Sequence, residues 1–427
     1  MKEFIKKNKY LLLGCVIVFA YYYFRLSRVD LTVGDDPWFR AHINDGVFNF
    51  VHWRWLSWSS RVFLEGILLI MLDLPVWVWR IITTLMFVLI FYSILKLIDK
   101  KQSPLYGLLT FLLMISIHFS LYGSAGWYAT TINYVWVFGL GIYVLSFIPE
   151  LLKGKKFSLI NWILFLPSLL ISINQEQMCA LVFGFYGIAS LYYWYKNKHI
   201  NIECSIVMVM TFGMLCIHGF CPGNALRKIA ESDTFYPLYG ELTLVQKVYI
   251  GTVATIASLL SGYNIQLIIL LLIICILGFL SNKIGLKILG LIPLLAYIVM
   301  KIVAKYTIFL NSTLIYESTN GVDLGIPSIG ISVILLMVFI LLVSLIGFFV
   351  TLCTCRRTIS VTCLLIFCAA FCCRMIMGFS ASVFASGMRT FIFTYYLIGI
   401  GDLILIISIQ KRILNLQKKE LLRRKTT

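Results

Sequence analysis

The chain is short of charge, and that shortage rules out an ordinary soluble fold. Of its 427 residues 60% are hydrophobic, 15% aromatic and only 13% charged, too few polar side chains to cover a water-facing surface. Alternating ten-residue strand patterns are missing, which removes a transmembrane barrel. The basic Met1–Tyr10 and the apolar Leu11–Phe24 resemble a signal peptide, but no small-residue cleavage site follows, since Tyr21-Tyr22-Tyr23-Phe24-Arg25 is bulky. A retained first helix is expected there. Paired cysteines are also lacking: Cys353-Thr354-Cys355 and Cys372-Cys373 have neither the spacing nor the His partners of a zinc site. The twelve Cys are therefore expected as small core residues. No internal repeat of the kind that organises many transporters is evident.

What the chain does have is a succession of apolar runs near the ~20 residues needed to cross the hydrocarbon of a bilayer. Spans are expected at 10–29, 75–98, 104–121, 133–150, 157–173, 178–195, 202–219, 264–280, 286–304, 327–351, 359–377 and 390–410. The fold class is thus all-α: a polytopic transmembrane helical bundle of about twelve spans in one integral-membrane domain over residues 1–427. Val62–Leu74 is too short to cross and carries Glu65 and Asp73, while Gln246–Leu260 is only weakly apolar. Each could be a re-entrant or interfacial helix, and because one extra crossing alone would send the basic tail outside, the charges allow twelve crossings or fourteen.

Charge orders the loops. With residues 1–9 cytoplasmic, 23 of the 36 Lys and Arg fall on the inner side, seven of them in the basic tail 411–427. Most acids fall on the other side. The formal charge of +18 is then a matter of topology and anionic lipid, and nucleic acid is not implied. The same topology gathers the unusual polar residues on the outer face. The first outer loop, 30–74, carries Asp35, Asp36, Arg40, His42, Asp45, His52, Arg54 and Arg61 among Trp38, Trp53, Trp55 and Trp58. Later outer loops add Trp127, Asn133, Glu176, Asn224, Arg227 and Arg389. Convergence of loops on one end of a rigid bundle is how a binding site is built.

Each part has a functional and a bland reading. A carboxylate at the membrane edge can accept the proton of an attacking hydroxyl if burial raises its proton affinity, and Asp35-Asp36 fits that role. A solvated helix cap at the end of the first span is the competing reading, with Pro37 suited to the position after a cap. The planar fork of Arg61, Arg227 or Arg389 matches a phosphate, and interfacial contact with lipid head groups is the alternative. Trp58 and its neighbours suit either sugar stacking or an aromatic belt. Glu176, with Asn174, Gln175 and Gln177, interrupts an apolar stretch as a polar hairpin, either a site or a plain turn. Arg80 and Arg374, in or near spans, require partners, and His118, His199 and His218 are expected to be structural. Asn311-Ser312-Thr313 is a chance match to a glycosylation sequon.

Asp36-Pro37-Trp38-Phe39-Arg40 after a first transmembrane helix resembles the aspartate motif of the GT-C superfamily of membrane glycosyltransferases. Trp58-Ser59-Ser60-Arg61, Gly126-Trp127, Asn133-Tyr134-Val135-Trp136, Asn174-Gln175-Glu176, Pro222-Gly223-Asn224 with Arg227, and Arg389 resemble, in order, the scattered motifs of bacterial members. These include multi-span proteins of surface-polysaccharide loci and are similar in layout to O-antigen glucosyltransferases. The resemblance implies transfer of one sugar from a polyprenyl-phosphate carrier to a surface glycan on the outer, periplasmic side of the bacterial inner membrane. It implies Asp36, or else Asp35, as base, with Arg61, Arg227 or Arg389 on the carrier phosphate. Glu176, Asn224, Trp127, Trp58 and Asn133 would then contact sugar or acceptor. Related enzymes differ in using a divalent ion, and no metal-site pattern stands out here. A transporter or lipid-linked saccharide flippase, and a glycan polymerase or ligase, are the rival functions.

Overall fold

A computed structural model describes residues 2–100, 102–261, 264–306 and 331–426. The described chain is helical, with no strand beyond a single bridge between Ser124 and Gly126. This is the expected outcome for apolar segments, because a helix satisfies its own backbone groups where no water can. In order the helices are α1 (Lys2–Leu26), α2 (Asp36–Ala41), α3 (Val47–Ser57), α4 (Val62–Asp73), α5 (Val76–Leu97), α6 (Pro104–Ser116), α7 (Trp127–Leu151), α8 (Leu159–Ile173), α9 (Glu176–Asn197) and α10 (Ile202–Phe220). They continue as α11 (Gly223–Phe235), α12 (Leu244–Ser261), α13 (Ile265–Phe279), α14 (Ile284–Tyr306), α15 (Ile331–Thr354), α16 (Arg357–Met375) and α17 (Ile392–Thr426).

Nine described helices are long and apolar enough to cross a membrane, so the protein is a multi-pass membrane protein. Three more of the twelve expected segments are helical but do not pass that test singly. The helices Pro104–Ser116 and Leu159–Ile173 are shorter, and Ile265–Phe279 qualifies only as a bent pair with Leu244–Leu260. Asn311-Ser312-Thr313 and the start of the span expected at 327–351 lie outside the described residues.

Contacts divide the chain into two compact units, residues 1–231 with 386–393, and residues 232–385 with 394–427. In the first unit, α1, α5, α6, α7, α8, α9 and α10 alternate in direction. At one end Asn8 meets Gln102, Lys96 lies over the Phe147 ring and Asn201 donates to the Leu151 carbonyl. The loops with Lys100, Lys153, Lys155, Lys156 and Lys198 belong to that basic end. All the candidate site residues belong to the other.

Local chemistry sets the helix starts. Ser103, Ser158, Gln175 and Asn201 each accept from the backbone N–H three residues on, capping α6, α8, α9 and α10. Helix α7 opens up over Thr131–Trp136 into a π segment, pinned to α5 by two indole donors: Trp79 Nε1 to Thr131 Oγ1 and Trp136 Nε1 to Thr83 Oγ1, both 3.0 Å. The short α4 buries Leu64, Glu65, Leu68, Leu69 and Leu72, so it is packed inside its unit rather than laid along an interface. In the second unit, buried Arg374 donates to the Val383 carbonyl at 2.9 Å. All twelve cysteines are free thiols.

Candidate functional site

The polar end of the first unit is built where the chain after α1 folds back onto the start of α7. Gly34 has φ +67° and Gly126 has φ +97°, and a Cβ on Gly34 would lie 2.2 Å from the Gly126 nitrogen. Only glycines allow this approach. It is fastened by the Asp35 N–H donating to the Ala125 carbonyl at 3.1 Å.

The contact brings Asp36 under the first turn of α7. Its Oδ2 accepts from Tyr128 N and its Oδ1 from Ala129 N, each at 2.9 Å, and the residue is 0% exposed. Asp36 therefore caps a helix, although not the one its position suggested: it satisfies the free amides and the positive end of α7 from 92 residues away in sequence. Burial pushes its carboxyl up to about 6. The amides of Ala129, Tyr128 and Trp127 oppose that rise and the Asp35 charge adds to it.

Asp35 is different. It is exposed, sits at the N-cap of α2 and makes no side-chain cap bond. Partial desolvation raises its carboxyl above the ordinary value, opposed by the guanidinium groups of Arg389 and Arg54. Arg389 lies in the 386–393 segment of the first unit, which packs on Phe119–Gly123. Next door, Arg40 and Arg80 flank Tyr128. Among the described residues none of Arg40, Arg80 and Arg389 forms an ion pair. The buried Arg80 Nε has no hydrogen-bond partner either. Trp127, half-buried, leans on Phe119, while the Asn133 amide donates back to Ala129 O at 2.9 Å.

The remaining sequence-predicted residues form a second, saturated cluster. Arg61 pairs with Glu176 at 2.7 Å, and Arg227 with Glu231 at 2.8 Å. Ser60 Oγ donates to His218 Nδ1 at 2.7 Å; His218 Nε2 faces the Ile173 carbonyl at 3.0 Å, which fixes the proton on Nε2. Asn174 Oδ1 accepts from Leu64 N, and the Asn224 amide donates to His218 O at 2.6 Å. A Cβ on Gly223 would meet Trp58 N at 2.3 Å, so α11 starts in backbone contact with the loop before α4. Trp58 has Arg54 on one side and Arg227 on another, 5.4 and 5.8 Å from its ring. His218 is bonded into this network through both ring nitrogens.

Sequence reasoning missed the pair that joins the two clusters. Buried Arg54 donates through Nε and Nη2 to the two oxygens of buried Glu65, at 2.6 and 2.9 Å. The signal was present: a glutamate in the apolar run Leu64–Leu72 needs a cation. Among the described residues no three His, Cys, Asp or Glu side chains converge in a way that would hold a metal ion. No protein-family model, curated protein or solved structure matches the chain.

Proposed function

We propose that the protein is an inverting membrane glycosyltransferase that moves one sugar from a polyprenyl phosphate to a surface glycan outside the bacterial inner membrane. The observation that carries this reading is the exposed Asp35 carboxylate in the electrostatic field of Arg389, a guanidinium with no ion pair among the described residues, at the end of a helical bundle. The motif resemblance adds to it. A carboxylate held near the interface and a cation beside it are the two groups that displacement at a glycosyl phosphate requires.

In this mechanism Asp35 takes the proton of the acceptor hydroxyl. The oxygen attacks the anomeric carbon, the bond from that carbon to the phosphate oxygen breaks, and the phosphate leaves on its lipid with both bond electrons. Arg389 offsets the charge that develops there, with Arg40 and Arg80 as nearby cations. Arg61 and Arg227 already face carboxylates, so they are assigned to the scaffold together with Glu176 and Asn224. Asp36, with both oxygens committed to α7 amides, holds the site's floor in place. The polyprenyl chain would lie in the bilayer, and the acceptor would come from the aqueous side.

The test uses proteoliposomes containing the full chain, given radiolabelled polyprenyl-phosphate sugars and isolated surface polysaccharide. Transfer of label to polysaccharide by the wild type and its loss in Asp35→Asn are expected. Labelled carrier crossing the bilayer without transfer would replace the enzyme by a flippase.

A further inference from the structure

The helices after Asp36 carry a groove that neither cluster uses. A cavity of about 300 Å³ is lined by His42, Asp45, Asn49, Phe50 and Trp53. Phe50 is buried and forms the floor, while Trp53 is 45% exposed although its ring lies offset and nearly parallel (7°) to that of His42 at 5.8 Å. Trp38, also exposed, continues the aromatic surface 6.2 Å away. His42 Nδ1 is 2.9 Å from the Trp38 carbonyl, so that nitrogen carries the proton and Nε2 is left as an acceptor.

Helix α3 lines this groove with Asn49, Phe50 and Trp53. Asn49 and Trp53 share one face at i, i+4 spacing, and the Asn49 amide reaches back to the Asp45 carbonyl at 3.1 Å. Phe48, 79% exposed, lies roughly 100° round the helix from Asn49, while Leu56, 46% exposed, continues the Asn49–Trp53 face at i+7 from Asn49. Phe48 suits a bilayer surface; the Asn49–Trp53 face offers an aromatic ring with a carboxylate and an amide beside it. A carboxylate and the absence of any Lys or Arg in the lining disfavour a phosphate or an anionic head group.

We propose that this groove binds a neutral oligosaccharide. The C–H face of a pyranose lies on Trp53, and Asp45, Asn49 and His42 Nε2 pair with ring hydroxyls, the mix of apolar platform and few polar groups that small-ligand sites use. Its identity as the docking place of the acceptor glycan rests on the glycosyl-transfer reading; its saccharide binding does not. Helix α2 rises roughly 9 Å between Asp35 and the groove, so one glycan chain can reach both.

The test is saturable binding of linear neutral trisaccharides of glucose, mannose and N-acetylglucosamine to the full chain in a detergent without a sugar head group, followed by ligand-observed NMR. At least one should bind, with affinity lowered about tenfold or more in Trp53→Ala and in Asp45→Ala but unchanged in Lys153→Ala at the opposite, basic end of the unit. No saturable binding by any of the three, or binding equal in both groove variants, overturns the proposal. Brominated-lipid quenching that disappears in Trp53→Phe would also overturn it, by placing that ring in the bilayer. Sugar binding without transfer activity would keep the groove and remove the enzyme. Transfer with unchanged KM for the acceptor in Trp53→Ala would do the reverse.

Discussion

Two neighbouring regions share the polar end of the first unit and differ in how fully their charges are met. Around Ser60, Arg61, Glu176 and His218 the donors and acceptors meet inside the protein. Around Asp35, Arg389, Arg40 and Arg80 a carboxylate is exposed and three guanidiniums have no ion pair among the described residues. Both regions contain residues of the same types, so residue type alone does not separate scaffold from chemistry. Saturation does: a buried group that has met its partners fixes geometry, and a group left open is available to a ligand.

The sharpest way to break this comparison is at Arg54. Arg54→Ala leaves the Glu65 carboxylate buried without a cation, and a loss of about 3–5 kcal/mol is expected, visible as failure to purify as a folded monodisperse species. Arg54→Met with Glu65→Leu removes both charges and should restore most of the yield. Next comes Asp36→Ala, which strips two buried amides of their acceptor and should cost about 2–4 kcal/mol in thermal unfolding. If Asp36→Ala melts like the wild type, the α7 cap is not what holds the segment.

The two classes of arginine give a smaller, kinetic contrast. Arg389→Ala is expected to raise KM for the lipid-linked donor about tenfold, near 1.4 kcal/mol, with the melting temperature unchanged. Arg61→Ala should lower the melting temperature, because Glu176 loses its cation. The smallest effect is on pH. The Asp36 carboxyl is raised in the folded protein from 3.8 to about 6, so the folded state holds the proton more tightly than the unfolded chain. Its contribution to stability is full below 3.8 and is lost as pH rises through 6. The melting temperature should therefore fall between pH 4 and pH 6, and Asp36→Asn should flatten that part of the profile.

Much of this arrangement was legible in the sequence because it follows from hydropathy and spacing. Helical spans such as Val76–Leu97 and Ile202–Phe220 announce themselves by apolar length. The polar motifs at Ser60-Arg61, Asn174–Glu176 and Gly223-Asn224 do gather at one end of one unit. What the residues alone did not show is which of two adjacent aspartates is buried. That depends on Gly34 meeting Gly126, a contact across more than ninety residues. Span count was harder for a related reason: α4 is apolar because it is buried within its unit, and apolar length alone does not distinguish protein from lipid as the surroundings.

The most direct test takes Asp35→Asn and Asp36→Asn through the same two assays, sugar transfer in proteoliposomes and thermal unfolding in detergent. The division of labour between the two aspartates predicts that Asp35→Asn loses about 10²–10⁴ in transfer rate at an unchanged melting temperature, while Asp36→Asn changes thermal stability and its pH dependence. Full transfer by Asp35→Asn, together with an inactive Asp36→Asn that unfolds like the wild type, would contradict it.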